Sequence, residues 1–464
     1  MKVEQLYTNC LAEAAYYIES EGEAVIIDPL RETDPYIELA ASKGTKIKYI
    51  LETHFHADFV SGHIDLAKKT GATIVYGPTA NPDFTCHVAQ DGEVLQIGKI
   101  SLTVMHTPGH TMESTTYLLK DENGKDYAIF TGDTLFIGDV GRPDLAVKSD
   151  LTEKDLAGLL YDSLRKKIMT LADDVIVYPG HGSGSACGKN ISKETWSTLG
   201  EQKKSNYALQ NISREEFITE LTTGILPAPQ YFAKNAAMNK GGYDSFDAVL
   251  NRGNVALSVD EVAQKLADGA LILDLRKKEA FAKAHLPGSI FIGLDGQFAV
   301  WVGALIKDLN QSIVLIVEEG REKEAVTRLA RVGYDHCAGY LKGGVEAWIA
   351  AGKATSSIKQ ITAEELARLP QPKIIDARKP GEFSAEHAEG AVSFPLDYIN
   401  DHLHDLDHST TQYLHCKSGY RSMIALSILQ ANGYTNIVDV IGGFDAMLKT
   451  DLAKTNYVCP STLK

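Results

Sequence analysis

In the first half of the chain, short apolar runs alternate with turn signals. "AYYIES", "AVIIDP", "KYILETH", "ATIVYG", "ISLTVMHTPGH", "YLLKDENGKDYAIFTGD" and "DVIVYPGHG" read as strands and hairpins. Helical periodicity lies between them, over 60–70 and 151–172. This predicts an α/β domain over 1–245 in which His and Asp residues gather just after strand ends. Loops at strand ends are where converging side chains are easiest to fix.

Near residue 250 the pattern changes and begins to repeat. "LILDLRKKEAFAKAHLPGSI" (271–290) matches "KIIDARKPGEFSAEHAEGAV" (373–392). Asp274, Arg276, Phe281, His285 and Gly288 return as Asp376, Arg378, Phe383, His387 and Gly390. Gly333-Tyr334 and Gly343-Gly344 return as Gly433-Tyr434 and Gly442-Gly443. Two copies of one small α/β domain are therefore expected, over 252–355 and 356–464, joined through the polar stretch "KATSSIKQ" (353–360).

Composition narrows the picture in three respects. With 464 residues, 44% hydrophobic and 23% charged, the chain suits about three soluble globular domains. It has no apolar run of about 18 residues, and its first residues lack the layout of a signal peptide, so the reading is cytoplasmic with no membrane partner. Its 46 basic and 61 acidic residues give a net charge of −15, which argues against nucleic acid. The six cysteines (10, 86, 187, 337, 416, 459) form no CxxC, so any that matter should act as thiols.

The stretch "THFHADFVSGH" (53–63) carries His54, His56 and Asp58 in a metal-binding spacing, but residue 59 is phenylalanine. His110 in "TPGHTMES", Asp133 in "FTGDTLF" and His181 in "YPGHGSG" are further donors in turns after strands. Together these motifs resemble the metallo-β-lactamase superfamily over about residues 1–245, which implies an αββα sandwich with a metal site at one edge. In its two-metal members, the equivalents of His54, His56 and His110 hold one ion. The other takes Asp58, residue 59 and His181, with Asp133 bridging. A phenyl ring has no lone pair to give, so one metal is expected to remain.

The persulfide dioxygenase branch of that superfamily implies a two-His, one-carboxylate set, here His54, His110 and Asp133, holding one Fe(II) per chain. His56, Asp58 and His181 would then orient ligands or hydrogen-bond the substrate. In "GDVGRPDL", Arg142 is either part of a simple turn or, as the resemblance implies, a fork for a substrate carboxylate or phosphate. Cys187, in the Gly/Ser-rich "GHGSGSACGKN", is either a packed loop cysteine or a contact for substrate sulfur.

In "YLHCKSGYRSMIALSILQANGY" (413–434) an apolar strand runs into Cys416, and a helix follows. Loop N–H groups and the helix start favour a thiolate there, and Lys417 and Arg421 add positive charge. This pattern, and both repeats, resemble the rhodanese fold. Cys416 to Arg421 spans six residues, the sulfurtransferase length rather than the longer phosphatase loop. Cys416 and Arg421 are the catalytic candidates, with Lys417, Ser418, Gly419 and Tyr420 as the substrate cradle. Aligning Arg321 with Arg421 puts Ile316 opposite Cys416. No cysteine occurs nearby and Glu318 and Glu319 make that loop acidic, so the middle copy is expected to be inactive.

The whole chain thus resembles the fused persulfide dioxygenase–sulfurtransferases. That resemblance implies a low-molecular-weight persulfide and O₂ as substrates, with sulfite and thiosulfate exchanged at Cys416. It leaves room for a homo-oligomer. A zinc thioesterase of the glyoxalase II type and a non-enzymatic persulfide sensor or sulfur carrier are the competing readings.

Overall fold

The strand Glu13–Ser20 carries apolar side chains on both faces, and both are buried: Tyr16 and Ile18 on one side, Ala15 and Tyr17 on the other. Such a strand needs cover on each side. The computed structural model, which describes residues 1–145, 151–225 and 228–459, supplies it. One six-stranded sheet runs in the order Lys2–Thr8, Glu13–Ser20, Glu23–Ile27, Lys46–Leu51, Thr73–Tyr76, His87–Val88. A second runs Ser197–Thr198, Ile176–Pro179, Asp126–Gly132, Thr115–Lys120, Ile100–His106, Val94–Ile97.

Tyr16, Ile18, Val25, Ile27 and Leu51 of the first sheet meet Ile97, Leu102, Val104, Tyr117 and Phe130 of the second in one buried core. On the outer faces, Tyr36 and Leu66 bring helices Asp34–Ser42 and His63–Thr70 onto the first sheet. Leu160 and Phe217 bring helices Glu153–Ser163 and Arg214–Thr222 onto the second. The layers are αββα. The helix expected from residue 60 starts at His63; before it, Ser61 N donates to Asn239 Oδ1 and Gly62 N to Pro29 O, tying the incoming chain to its neighbours. The helix expected over 151–172 ends at Ser163 and relaxes into a wider turn over Leu164–Ile168.

The chain forms two compact units, Met1–Ala248 with Ala330–Gly333, and Val249–Leu329 with Tyr334–Lys464. Of the expected third domain, residues 460–464 lie outside the described residues. The second unit contains two parallel five-stranded sheets of the same order. They are Ala256–Leu257, Cys337–Leu341, Ile313–Ile316, Leu271–Asp274, Ile290–Phe291, and Gln360–Ile361, Ile437–Val440, Gln412–His415, Ile374–Asp376, Val392–Ser393. No helix of the described residues is long and apolar enough to cross a membrane.

The repeated residues build the same joints in both copies. Arg276 Nη2 donates to Asp274 Oδ2 at 2.8 Å and to Ala284 O at 2.8 Å; Arg378 Nη2 donates to Asp376 Oδ2 at 2.6 Å and to Glu386 O at 2.7 Å. His285 stacks on Phe281 at 3.9 Å and His387 on Phe383 at 3.8 Å. Gly343-Gly344 and Gly442-Gly443 all have positive φ, which glycine adopts without steric cost. The shared sequence pattern is architecture rather than chemistry.

Removing the acid of a buried ion pair leaves its cation unpaired, which costs about 3–5 kcal/mol. Arg378 is 5% exposed, so Asp376→Ala should lower the stability of this unit by that order. Urea unfolding of the full chain, followed by a probe in the second unit, measures it.

Candidate functional site

Four strand ends supply the buried donors. Thr53 and His54 follow strand Lys46–Leu51, His110 follows Ile100–His106, Asp133 follows Asp126–Gly132, and His181 follows Ile176–Pro179. One ligand atom each from His54, His110 and Asp133 lie within 4.8 Å of one another, and all three residues are buried. His54 Nε2 is 3.9 Å and His110 Nε2 3.4 Å from Asp133 Oδ2.

The second atoms of these groups are already used. His110 Nδ1 pairs with the backbone carbonyl of Arg142 at 2.8 Å, which only an N–H can do, so Nε2 keeps its lone pair. Thr53 Oγ1 donates to Asp28 Oδ2 at 2.8 Å, and so accepts from His54 Nδ1 at 2.9 Å. That again leaves Nε2 as the acceptor. Burial and the neighbouring His56 hold the His54 imidazole well below its usual range, and hence neutral. Burial alone would raise the Asp133 carboxyl, but His181, His110 and His54 outweigh it and keep it ionised well below the ordinary carboxylate range. Asp133 Oδ2 is buried with no hydrogen-bond partner in the protein. Two neutral imidazoles and one carboxylate oxygen, all aimed inward, fit a divalent metal.

His181 lies between two carboxylates, Nδ1 at 2.8 Å from Asp133 Oδ1 and Nε2 at 2.8 Å from Asp58 Oδ2. Burial opposes its charge, yet Asp133 and Asp58 hold its pKa well above the usual value. Asp58, His181 and Cys187 form a second convergence of donor atoms within 4.8 Å. Sequence spacing gave Cys187 only a place near the His181 loop; the fold brings its thiol to the same carboxylates. Burial, then Asp58 and Asp133, push that thiol's pKa well up, so it is held as SH. Phe59 is fully buried, its ring 4.4 Å from that of His56. His56 Nε2 lies 3.0 Å from Asp28 Oδ1 and 3.5 Å from Glu52 Oε2, without a hydrogen bond to either.

Arg142 differs from the expected substrate fork. Its Nε and Nη2 each donate to Asp144 at 2.7 Å and its Nη1 to Ala186 O at 3.2 Å, in a side chain that is almost wholly buried. The Gly-Arg-Pro-Asp turn supplies the guanidinium with its own carboxylate two residues on. What Arg142 gives the site is its carbonyl, which aims His110.

In the second unit, Cys416 is buried and its Sγ accepts the Gly419 N–H at 3.1 Å. Gly419 has φ +101°, which bends that N–H inward. Lys417 and Ser418 are exposed, and Tyr420 opens the helix Tyr420–Ala431. Arg421, expected as a cation beside the sulfur, forks onto Glu382 at 2.5 and 2.9 Å. The middle copy's register also needs correcting. Asp274 pairs with Ile316 where Asp376 pairs with His415, and Gly320 (φ +87°) stands where Gly419 does. Val317, not Ile316, therefore lies opposite Cys416, and Glu322, not Arg321, opposite Arg421. Aligning by residue type slipped the loop by one; the backbone corrects it and still finds no thiol.

Asp28, Thr53 and Glu52 escaped the sequence reading, since "IIDP" and "LETH" look like ordinary strand ends. The signal available was a carboxylate closing a strand beside the histidine phrase. Glu13 was missed too. It is fully buried beside His181, both carboxyl oxygens without a hydrogen bond, and burial pushes its pKa well up.

Comparison with known proteins agrees with this layout. The profile of the metallo-beta-lactamase superfamily matches residues 8–181, and that of the rhodanese-like domain matches 258–351 and 362–450. The human protein named "Persulfide dioxygenase ETHE1, mitochondrial" is 33% identical over 223 residues, 47% of this chain and 80% of its own length. The hydroxyacylglutathione hydrolase of Francisella tularensis subsp. novicida is 34% identical over 174 residues, 37% of this chain and 64% of its own. A crystal structure of a metallo-beta-lactamase from Staphylococcus aureus superposes with a TM-score of 0.65 at 33% identity, covering 74% of this chain and 98% of that one.

Thr53→Val keeps the shape of the side chain but removes the bond that aims His54. It should weaken metal binding about 10–100-fold, the usual loss when a ligand's outer partner is removed. Chelator competition measures the affinity, and circular dichroism should show the fold retained.

Proposed function

Because this chain belongs to the metallo-beta-lactamase superfamily and continues into two rhodanese-like domains, we propose that it is a persulfide dioxygenase joined to a sulfurtransferase. The observation that carries this reading is the convergence of His54 Nε2, His110 Nε2 and the unpartnered Asp133 Oδ2, on a chain whose residue 59 is phenylalanine. A two-His, one-carboxylate set with open positions suits one non-haem Fe(II). Bound there, iron supplies the redox chemistry that lets O₂ react with a sulfur substrate.

The overall change is RSSH + O₂ + H₂O → RSH + sulfite + 2 H⁺ for a low-molecular-weight persulfide. The chain's own groups prepare for it. Asp133 offers one oxygen as a ligand while its other oxygen is held by His181. His181 keeps a proton between Asp58 and Asp133, available to a departing thiolate. Cys187, held as a neutral thiol beside Asp58, is suited to contacting substrate rather than to attacking it. Phe59 and its apolar bulk exclude water from this side.

Cys416, with the Gly419 N–H on its sulfur, is suited to carry a persulfide and exchange its outer sulfur with sulfite, giving thiosulfate or consuming it. The middle repeat, with Val317 in the nucleophile's place, has no such group.

A second reading, thioester hydrolysis of the glyoxalase II type, is favoured by one observation: Asp58, His181 and Cys187 also converge within 4.8 Å. Two facts oppose it. Residue 59 gives no donor, and His181 already has both nitrogens on carboxylates.

Metal analysis of the purified chain should find about one iron, and Asp133→Ala should lose it together with O₂ uptake on a persulfide, because the carboxylate is the triad's only anionic ligand. Two tightly bound zinc ions and thioester turnover would sink the dioxygenase reading. Cys416→Ser should keep O₂ uptake and accumulate sulfite, while the unmodified chain turns more of that sulfite into thiosulfate. If Cys416→Ser lost O₂ uptake as completely as Asp133→Ala, the two chemistries would not be modular.

A further inference from the structure

We infer that the middle repeat, which has no thiol of its own, supplies the cation that holds a sulfur oxyanion for the thiol of the third: Lys278 binds the sulfite or thiosulfate that exchanges sulfur at Cys416. This rests on the proposed transfer through Cys416.

Lys278 opens the helix Lys278–Lys283, just after the Asp274–Arg276 joint. The same position in the third repeat is Pro380, which carries no charge. Lys278 Nζ reaches across and donates to Ser418 O at 2.8 Å. It stands 2.7 Å from where a Cβ on Gly419 would be. The ammonium group therefore lies against the turn whose Gly419 N–H is bonded to Cys416 Sγ.

The two repeats are held in register around this contact. Tyr420 OH donates to Gly293 O at 2.8 Å, Phe291 N donates to Ser427 Oγ at 2.9 Å, and His285 Nε2 pairs with Gln430 Oε1 at 2.7 Å. Between them is a cavity of about 320 Å³, whose lining includes Arg276, Lys277, Lys278, Glu279 and Asp295 on one side and Ser418 and Tyr420 on the other. That volume is at the lower end of small-molecule sites.

Most charges around the cavity are committed. Arg276 is bound by Asp274, and Asp295 is paired with Arg321. Arg421, the cation of the thiol loop itself, is forked onto Glu382. Lys277 also lines the cavity and is exposed, but it is Lys278 that reaches the thiol loop. It has three ammonium protons; Ser418 O takes one, and the Glu279 carboxylate, at 3.9 Å, is beyond hydrogen-bond reach.

The transfer needs such a cation because both reactants are anions. The lone pair on the sulfur of sulfite attacks the outer sulfur of the Cys416 persulfide. A new S–S bond forms, the Cys416 S–S bond breaks, and its electron pair stays on the Cys416 thiolate. Charge balances, one negative on the persulfide and two on sulfite giving one on the thiolate and two on thiosulfate. Like charges must approach to bonding distance, and a nearby ammonium lowers that cost.

Two measurements on the full chain decide the matter. In a Cys416→Ser background, which cannot turn over, adding Lys278→Met should weaken thiosulfate binding by calorimetry about tenfold, the loss of one charge-assisted hydrogen bond. With Cys416 intact, Lys278→Met should raise KM for thiosulfate in sulfur transfer to cyanide by a similar factor, with kcat nearly unchanged, and Lys278→Arg should restore it. An unchanged Kd and KM would overturn the assignment. So would equal loss of kcat in the Met and Arg variants, which marks Lys278 as a loop support only. If the unmodified chain shows no Cys416-dependent transfer, the underlying reading fails, and the calorimetry still decides whether Lys278 holds the oxyanion.

Discussion

One residue, Thr53, joins the two sheets of the first unit through its backbone carbonyl and aims the first metal donor through its hydroxyl. Thr53 Oγ1 donates to Asp28 and accepts from His54, while Thr53 N donates to Asp28 Oδ1 at 2.8 Å and Thr115 N donates to Thr53 O at 2.9 Å. The facing residue is Gly132, where an added Cβ would come within 2.4 Å of that hydroxyl. Asp133, the anionic donor, follows directly. The approach of the two strand ends therefore sets the distance between His54 and Asp133. Any side chain at 132 would pry them apart.

The donors themselves could be read from the chain because each sits in a short, self-announcing turn after an apolar strand. His54, His110, Asp133 and Cys416 are all of this kind. The groups that orient them could not. Asp28 holds Thr53 from the neighbouring strand end, and a carboxylate acting through someone else's hydroxyl has no sequence period of its own. Arg142 illustrates the reverse difficulty. Its residue type suggested a ligand fork, yet Asp144, two positions on, takes the guanidinium, and it is the Arg142 carbonyl that aims His110.

The two rhodanese-like copies show how far a shared scaffold leaves chemistry undetermined. Their Asp–Arg joints, His–Phe stacks and left-handed glycines coincide, because these hold strand to helix whatever the loop does. The loops diverge at every position except the glycine, with Val317, Glu318, Glu319 and Glu322 set against Cys416, Lys417, Ser418 and Arg421. A slip of one residue in that comparison changes which side chain faces which, and only backbone pairing resolves it. Sequence symmetry located the domains and the missing thiol of the middle copy; the backbone corrected only which side chain stands in its place.

Cys416 is 1% exposed, with one loop N–H bonded to its sulfur. On the proposed transfer, a sulfur carried there is more easily met by a small molecule than by the flat surface of a folded partner. The lifetime of the stored sulfur is then governed by the concentration of small nucleophiles around the protein. Burial of this one thiol makes access to it, on the proposed transfer, a question of molecular size.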